Sequence, residues 1–255
     1  MSNIPLYGAE LVGTFLLVLL GNAVVGNVVL KGTKGNGGGW IVITAGWGLA
    51  VFVGAFVVFS TSGAHLNPAV SIGLASAGIF DWALVPGYIT GQMLGGLLGA
   101  LFVWLLFIPH WPKTDDPDLK LACFATIPAI ESVPNNLFSE FLGTFVLIFG
   151  ILCIKPAYLN LHETTAVIDL GAEGLIPVSL LVMAIGLSLG GTTGYAINPA
   201  RDLSPRFMHW ILPIPGKGSS QWRYASIPVV GPILGSVAAA GLYVLLIRLD
   251  VLTGN

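Results

Sequence analysis

Two copies of the tripeptide Asn-Pro-Ala stand out as residues whose types and spacing could do chemistry. One copy is Asn67-Pro68-Ala69 and the other is Asn198-Pro199-Ala200. Proline suits the first position of a helix because it lacks an N–H that would go unpaired there, and asparagine before it is a strong N-cap. Each tripeptide therefore predicts a helix start at which the NH2 of the asparagine is free to donate into the space ahead.

Two such helix starts would form a filter if they met end to end in the middle of a membrane. Each N-terminus carries about half of an elementary positive charge from its aligned peptide dipoles. Fixed N–H groups donate to a neutral hydroxyl or water oxygen, and the positive potential repels a proton or metal cation. Asn-Pro alone is also a common turn signal, so the alternative is a plain turn before each helix. Two copies at equivalent, buried places favour the filter.

The two copies differ in the residues that follow them. Val70-Ser71 follows the first and Arg201-Asp202 the second. Arg201 falls in the first turn, where the dipole disfavours a cation, and at membrane depth, where a charge costs at least ~2.5–3.5 kcal/mol. We interpret Arg201 as a donor at one entrance that holds a solute's oxygens and excludes cations. The alternative is an ion pair with a carboxylate such as Asp202, although adjacent helical residues do not face each other.

The composition requires a membrane around these motifs. Of 255 residues, 55% are hydrophobic and 9% are charged, against about 25% charged in soluble domains. The net charge of −2 offers no basic face for nucleic acid. Cys123 and Cys153 indicate neither a disulfide framework nor a metal site. Six apolar stretches are long enough to cross about 30 Å of hydrocarbon: Leu6–Asn27, Ile41–Ser60, Ala83–Phe107, Leu137–Lys155, Leu175–Gly191 and Tyr224–Arg248.

Two further apolar segments, Asn67–Ile79 and Asn198–Ile211, are too short to span. Short helices at membrane depth are tolerated where they line a cavity, so we predict two re-entrant half-helices. The segments Lys31–Gly39, Ile108–Asn136 and Pro156–Gly174 are predicted as loops from their turn-forming residues.

The chain is a duplication. Residues 9–15, Ala-Glu-Leu-Val-Gly-Thr-Phe, recur at 139–145 as Ser-Glu-Phe-Leu-Gly-Thr-Phe, and the Asn-Pro-Ala motif recurs at a similar offset. Each half holds three spans and one half-helix. An odd number of spans inverts the second copy, and inverted repeats place their shared site near the membrane midplane. We predict one channel domain, residues 1–255, built from repeats of about 1–125 and 126–255.

Residues 62–70 and 194–202 resemble the two signature loops of the aquaporin superfamily, and the likeness extends over nearly the whole chain. The resemblance implies an all-α membrane protein with an aquaporin-like bundle of six transmembrane helices and two re-entrant half-helices. It also implies a homotetramer with one pore per subunit, set in the cell membrane with both termini in the cytoplasm. That orientation puts most Lys and Arg outside, against the usual excess on cytoplasmic loops.

Within the superfamily, the chain is more similar to the glycerol facilitator branch than to the water-selective branch. Asp202, Arg206 and Pro228-Val229 resemble the positions that separate the two branches. Members of the water-selective branch usually carry small residues at the first two positions and aromatic residues at the last pair.

The resemblance also implies a narrowest ring formed by Trp47, Gly186, Tyr195 and Arg201. Water channels usually have histidine where Gly186 stands, so glycine is expected to leave one wall open. The aromatic rings would supply an apolar face for the CHOH backbone of a polyol. Tyr195 is a departure, because glycerol facilitators more often have phenylalanine there.

Two more sets of residues follow from the resemblance. Glu10 and Glu140 are expected to receive hydrogen bonds from the signature loops, with Asp202 as a further loop support; a proton relay through the two glutamates is the alternative. Backbone carbonyls are expected to line the pore as acceptors, at Gly63, Ala64, His65, Gly194, Tyr195 and Ala196.

The expected function is passive diffusion of glycerol and water, and of related small neutral solutes such as urea, other polyols, hydrogen peroxide and protonated small acids. Protons and ions are excluded, and no catalysis, cofactor, metal or nucleic acid is expected. One alternative is a water-selective channel, and another is a coupled transporter, which also uses inverted repeats. An intramembrane hydrolase is suggested by Ser60, Ser62 and His65, but a third group to orient the histidine is missing.

Overall fold

The computed structural model describes residues 3–155, 157–161, 164–168 and 170–252. Within these ranges the chain forms nine α-helices and one hairpin: α1 (Ile4–Val29), α2 (Trp40–Ser62), α3 (Pro68–Ser76), α4 (Val85–Leu106), α5 (Pro117–Ala122), α6 (Val133–Cys153), β1 (Ala157–Leu161), β2 (Thr164–Ile168), α7 (Ile176–Leu189), α8 (Pro199–Ile211) and α9 (Ile227–Arg248). The predicted bundle of six spans and two half-helices is confirmed, and the span ends move by a few residues.

The six spans are α1, α2, α4, α6, α7 and α9, with α7 extended by a 3-10 turn at Gly171–Leu175. All but α2 carry a proline in the first turn, where its missing N–H leaves no helical bond unmade. The α2 helix ends at Gly63, which takes a left-handed conformation with φ of 78°. Glycine does this without steric penalty, and the chain turns there into the first re-entrant loop.

The spans of the two repeats pack in the same way, and the half-helix of each repeat packs on a span of the other repeat. The α1 helix lies against α2 and α4, and α6 lies against α7 and α9. The half-helix α3 packs on α9 from the other repeat, and α8 packs on α4. Each half-helix is therefore held by spans from both halves, which brings the two Asn-Pro-Ala motifs to the centre of the bundle.

Glycines let the spans approach at backbone distance. A Cβ on Gly95 would lie 2.3 Å from the carbonyl oxygen of Leu11, and one on Gly235 would lie 2.3 Å from that of Phe141. These equivalent contacts join α1 to α4 and α6 to α9. Small residues at helix crossings allow such packing in lipid, where apolar burial between helices gives little driving force.

The predicted loop Pro156–Gly174 is corrected. Its described residues form an antiparallel hairpin in which Ala157 pairs with Ile168 and Leu161 with Thr164. The second strand reads Thr-Thr-Ala-Val-Ile, and β-branched residues favour strands. Pro156 lies outside the described residues. The predicted loop Ile108–Asn136 likewise contains the short helix α5 and a 3-10 turn at Trp111–Lys113.

Candidate pore and selectivity filter

Both asparagines cap their half-helices as predicted. The side-chain oxygen of Asn67 accepts from the N–H of Ala69 at 2.8 Å. The oxygen of Asn198 accepts from Ala200 at 3.0 Å and from Arg201 at 3.3 Å. The caps thereby satisfy one first-turn N–H group of α3 and two of α8, and both helix starts lie at buried positions.

The asparagine NH2 groups are not free, contrary to the expectation from sequence. Asn67 Nδ2 donates to the carbonyl of Ile197 at 2.8 Å, and Asn198 Nδ2 donates to the carbonyl of Leu66 at 2.8 Å. These reciprocal bonds, which we call the cross-brace, tie each half-helix to the loop of the other repeat. An amide NH2 carries two hydrogens, so each asparagine retains one donor for a solute.

Two buried glutamates hold the loops that lead into the half-helices. Glu10 accepts from the backbone N–H of His65 at 2.9 Å and of Leu66 at 2.7 Å. Glu140 accepts from the N–H of Ala196 at 3.0 Å and of Ile197 at 2.8 Å. Both carboxylates are fully buried and receive hydrogen bonds from the signature loops, as the resemblance implied.

The glutamates also orient the loop carbonyls. In a trans peptide the C=O points away from the N–H of the same unit. The N–H groups bound to Glu10 belong to the units that carry the carbonyls of Ala64 and His65. Those bound to Glu140 belong to the units of Tyr195 and Ala196. These four carbonyls therefore point away from the glutamates.

The loop backbone is strained to achieve this orientation. Ala64 and Leu66 have φ of 53°, and Tyr195 and Ile197 have φ of 38° and 43°. A residue other than glycine in this region is uncommon, and the strain persists only where surrounding contacts enforce it. The glutamates and the cross-brace supply those contacts.

A cavity of about 170 Å³ runs along these loops. The polar part of its lining, which we call the polar wall, is formed by Gly63, Ala64, His65, Asn67, Tyr195, Ala196, Asn198 and Arg201. The apolar part, which we call the apolar wall, includes Leu17, Val51, Ala55, Val70, Leu147 and Val182. A passage with one hydrogen-bonding wall and one apolar wall suits a solute that carries both kinds of surface.

Arg201 lies at one end of the cavity against an aromatic ring. Its guanidinium carbon is 4.2 Å from the ring centroid of Trp47, in cation–π geometry, and its Nη2 donates to the carbonyl of Gly194 at 3.4 Å. The Trp47 ring sits in a notch at Gly21, where a Cβ would come within 2.2 Å of it. Asp202 pairs with Arg206 instead, so the alternative of an Arg201–Asp202 ion pair is not observed.

The space beside Gly186 is filled rather than open, which corrects the expectation from sequence. A Cβ on Gly186 would lie 2.7 Å from Cζ of Tyr195 and 2.9 Å from its hydroxyl. Trp40 meets the Tyr195 ring edge to face at 5.8 Å and donates to the carbonyl of Gly186 at 3.0 Å. Gly186 thus accommodates the phenol of Tyr195, and the phenol forms the wall.

Gln92 and Ser71 form hydrogen bonds beside the first loop, and neither residue was predicted from the sequence to have a role. Gln92 Nε2 donates to Glu10 at 2.7 Å and to the hydroxyl of Ser71 at 3.1 Å. His65 Nδ1 lies 3.0 Å from the same hydroxyl. A glutamine in an apolar span was a usable signal, because polar side chains inside membranes are costly and tend to be paired. Ser71 carried no such signal.

Lys217 closes the far end of α8 and was also missed. Its ammonium donates to the carbonyls of His209 at 2.8 Å, Trp210 at 2.7 Å and Leu212 at 2.6 Å. A cation is favourable at a helix C-terminus, where carbonyls lack partners. Burial lowers the pKa of Lys217. A basic residue shortly after a predicted helix was the available signal.

The catalytic alternative finds no geometric support. Ser62 donates to Glu10 at 2.7 Å, whereas His65 contacts Ser71, so the serine and histidine do not form a nucleophile–base pair. Within the described ranges, the side chains form no group of three or more His, Cys, Asp or Glu suited to a metal ion.

Six membrane-spanning helices around two cross-braced half-helices and a two-faced cavity define a multi-pass membrane protein with a transmembrane pore. The chain belongs to the major intrinsic protein family, whose model matches residues 2–243. The resemblance seen in the two loops is thereby confirmed.

Relatives and a solved structure agree with this assignment. The chain is 54% identical over 239 residues to a probable glycerol uptake facilitator protein of Thermotoga maritima, covering 93% of this chain and 97% of that protein. It is 52% identical over 231 residues to a glycerol uptake facilitator protein of Bacillus subtilis, covering 90% and 80%. The aquaglyceroporin from Plasmodium falciparum superimposes with a TM-score of 0.81 at 31% identity, covering 98% of this chain and 99% of that one.

Proposed function

We propose that this chain is a channel for the passive diffusion of glycerol, and of water and other small uncharged solutes, across the cell membrane. It acts as a transport protein and not as an enzyme. The two-faced cavity carries the proposal, because glycerol presents hydroxyl groups along one side and C–H groups along the other. High identity to glycerol uptake facilitators supports the same solute.

The polar wall offers acceptors and donors in sequence. The carbonyls of Ala64, His65, Tyr195 and Ala196, oriented by the glutamates, accept the hydroxyl hydrogens of the solute. The remaining N–H of each capping asparagine and the guanidinium of Arg201 donate to its oxygens. Bonds can be exchanged one at a time as the solute advances, so no site binds it tightly enough to stop it.

The apolar wall and the ring at Arg201 favour a polyol over bulkier or more polar solutes. Carbon atoms of the solute contact Val51, Val182 and the aromatic faces, which favours burial of its apolar side. Trp47 Nε1 and the Tyr195 hydroxyl are buried, and neither has a hydrogen-bond partner within the described part of the chain. A solute oxygen in the ring is their natural partner. Urea, other small polyols, hydrogen peroxide and protonated small acids fit the same ring.

Ion exclusion follows from the positive potential of the cavity. Two half-helix N-termini face its centre, and Arg201 adds a full charge at one end. A cation entering from either side meets this potential, and among the described residues no carboxylate lines the cavity.

The proposal includes the setting of the channel. One channel domain, residues 1–255, consists of the repeats 1–125 and 126–255, and four copies form a tetramer with one pore each. Lipid covers the outer faces, where Leu49, Leu180 and Leu234 are at least half exposed. Both termini face the cytoplasm. The subunit number is tested by native mass spectrometry, and the orientation by labelling of single cysteines placed at the termini.

The solute is tested by stopped-flow light scattering on proteoliposomes, with protein-free liposomes of the same lipid as control. Under a glycerol gradient the vesicles are expected to shrink and then re-swell rapidly as glycerol enters. Under a gradient of an impermeant sugar they are expected to shrink and remain small. Fast shrinkage in sugar without glycerol re-swelling would identify a water-selective channel and overturn the proposal.

A further inference from the structure

Thr126, in the segment between α5 and α6, closes a buried ring of hydrogen bonds with two residues of α8. Its backbone N–H and its hydroxyl both donate to Asp202 Oδ2, at 2.7 Å and 2.6 Å. Arg206 pairs with the same carboxylate at 2.8 Å and 3.1 Å and donates to the carbonyl of Thr126 at 2.8 Å. Thr126 thus gives two bonds to the acid and accepts one from the base.

This ring is isolated from water, so its geometry is narrowly defined. Asp202 and Arg206 are fully buried, and Thr126 is 4% exposed. A buried ion pair is tolerated only when its remaining hydrogen-bonding positions are satisfied. The guanidinium meets this condition with a further bond to the carbonyl of Ser220 at 2.8 Å. The carboxylate meets it through Thr126.

Thr126 also touches the backbone that holds the guanidinium at the pore. Its Cγ2 would lie 3.3 Å from a Cβ on Gly194, so the two residues are in packing contact. Gly194 in turn offers its carbonyl to Arg201 at 3.4 Å. The same segment is docked a second time, because the N–H of Ala129 donates to the carbonyl of Thr192 at 2.9 Å. Arg201 is therefore positioned by its own helix, α8, and by the carbonyl of Gly194. Thr126 contacts both, since it bonds to Asp202 of α8 and packs on Gly194.

We propose that the Thr126 hydroxyl is a specificity-determining positioning group of the channel. By holding Asp202, the hydroxyl keeps α8 in place and so fixes the gap between Arg201 and the aromatic rings of Trp47 and Tyr195. That gap sets the size of the solutes that pass. The inference rests on the proposed glycerol channel and extends it, since Thr126 acts through other residues and does not line the cavity.

The test compares glycerol with the four-carbon polyol erythritol in proteoliposomes of three variants. T126V keeps the branched shape and removes the hydroxyl. T126S keeps the hydroxyl and removes the methyl group, and T126A removes both. All three keep the backbone N–H to Asp202. Fluxes are divided by the amount of folded protein, so that a poorly recovered variant is still measured, and T126A replaces T126V if the latter does not fold.

We expect the preference for glycerol over erythritol to fall by about threefold or more in T126V, as for the loss of one buried hydrogen bond that holds a site. T126S should retain the wild-type preference within about twofold. An unchanged preference in T126V overturns the inference. So does an equal fall in T126S, or a proportional loss of both fluxes, which indicates a structural role alone. Wild-type glycerol flux in the same experiment tests the proposed function separately.

Discussion

The two re-entrant loops, residues 62–71 and 193–202, share a scaffold and differ in the groups that they present to the cavity. In each loop a buried glutamate of the first span of the repeat accepts two consecutive backbone N–H groups. In each, an asparagine caps the half-helix and bonds to the loop of the other repeat. These shared features hold the backbone, and they are the ones that the duplication preserved.

The differences are concentrated in one loop. Aligning Asn67 with Asn198 places Ala64 opposite Tyr195 and Val70 opposite Arg201. The first loop therefore lines its half of the cavity with small apolar groups at positions where the second has a phenol and a guanidinium. A similar backbone thus carries different side chains in the two loops, and the charged end of the proposed filter lies in the second loop.

The side-chain bonds that hold the two half-helices in place also differ. The serine equivalent to Asp202 is Ser71, which is bonded to neutral or weakly basic groups of Gln92 and His65. Asp202 is instead part of a fully buried ion pair with Arg206. Both loops are bonded to a buried glutamate, but the second loop has in addition a buried ion pair, where the first has the uncharged side chains of Ser71 and Gln92. The contacts that hold each half-helix thus differ together with the groups that each loop presents to the cavity.

The largest effect on stability is expected when the Asp202 carboxylate is removed from its ion pair with Arg206. D202A leaves Arg206 buried without its partner, which costs about 3–5 kcal/mol of the free energy of unfolding. The equivalent change S71A removes one hydroxyl from a neutral network and costs about 1 kcal/mol. Thermal unfolding of the purified variants should show the larger fall in Tm for D202A. Equal falls in Tm would show that the bonds of Asp202 and of Ser71 contribute equally to stability.

The next effect concerns ion exclusion by Arg201. R201V gives the second loop the residue that the first loop has at Val70. Repulsion between two unit charges 4 Å apart is about 4 kcal/mol at an effective dielectric constant of 20, so proton leak should rise about tenfold or more. Proton entry is measured with a pH-sensitive dye in proteoliposomes, and V70A serves as control. A proton-tight R201V would show that the half-helix dipoles suffice.

The smallest effect concerns the fit between Gly186 and Tyr195. G186A places a methyl group 2.7 Å from the phenol ring, so the ring must move toward the cavity. Overpacking by one methyl group costs about 1–3 kcal/mol, and we expect glycerol flux to fall about fivefold with a smaller loss of water flux. G191A is the matched control, because a Cβ there meets nothing within 4 Å. Equal losses of glycerol and water would contradict a size-selective ring.

Much of this arrangement was predictable because it depends on local chemistry. The spans follow from apolar length, and the half-helix starts from the capping preferences of Asn67-Pro68 and Asn198-Pro199. The inversion of the repeats follows from three spans in each. Glu10 and Glu140 carried a signal as acids in apolar spans, and the resemblance gave their partners. The roles of Trp47, Tyr195 and Arg201 as a filter remain predictions.

The rest depends on distances between residues far apart in the chain. The cross-brace could not be inferred from capping alone, since it joins Asn67 to Ile197 across 130 positions. The packing of Tyr195 on Gly186 reverses the expected open wall for the same reason. Thr126 is a threonine in a loop, and only its contact with Asp202 across 76 positions gives it a role. Tertiary contacts of this kind leave no periodic pattern in a sequence.

Passive diffusion of glycerol through a pore that excludes ions can be distinguished from coupled transport in one experiment. Glycerol entry into proteoliposomes is measured as a function of concentration and temperature, with a pH-sensitive dye trapped inside. For a passive pore we expect a rate that rises linearly with the glycerol gradient, has a low activation energy and leaves the internal pH unchanged. Saturable entry with a high activation energy and accompanying proton movement would instead identify a coupled transporter.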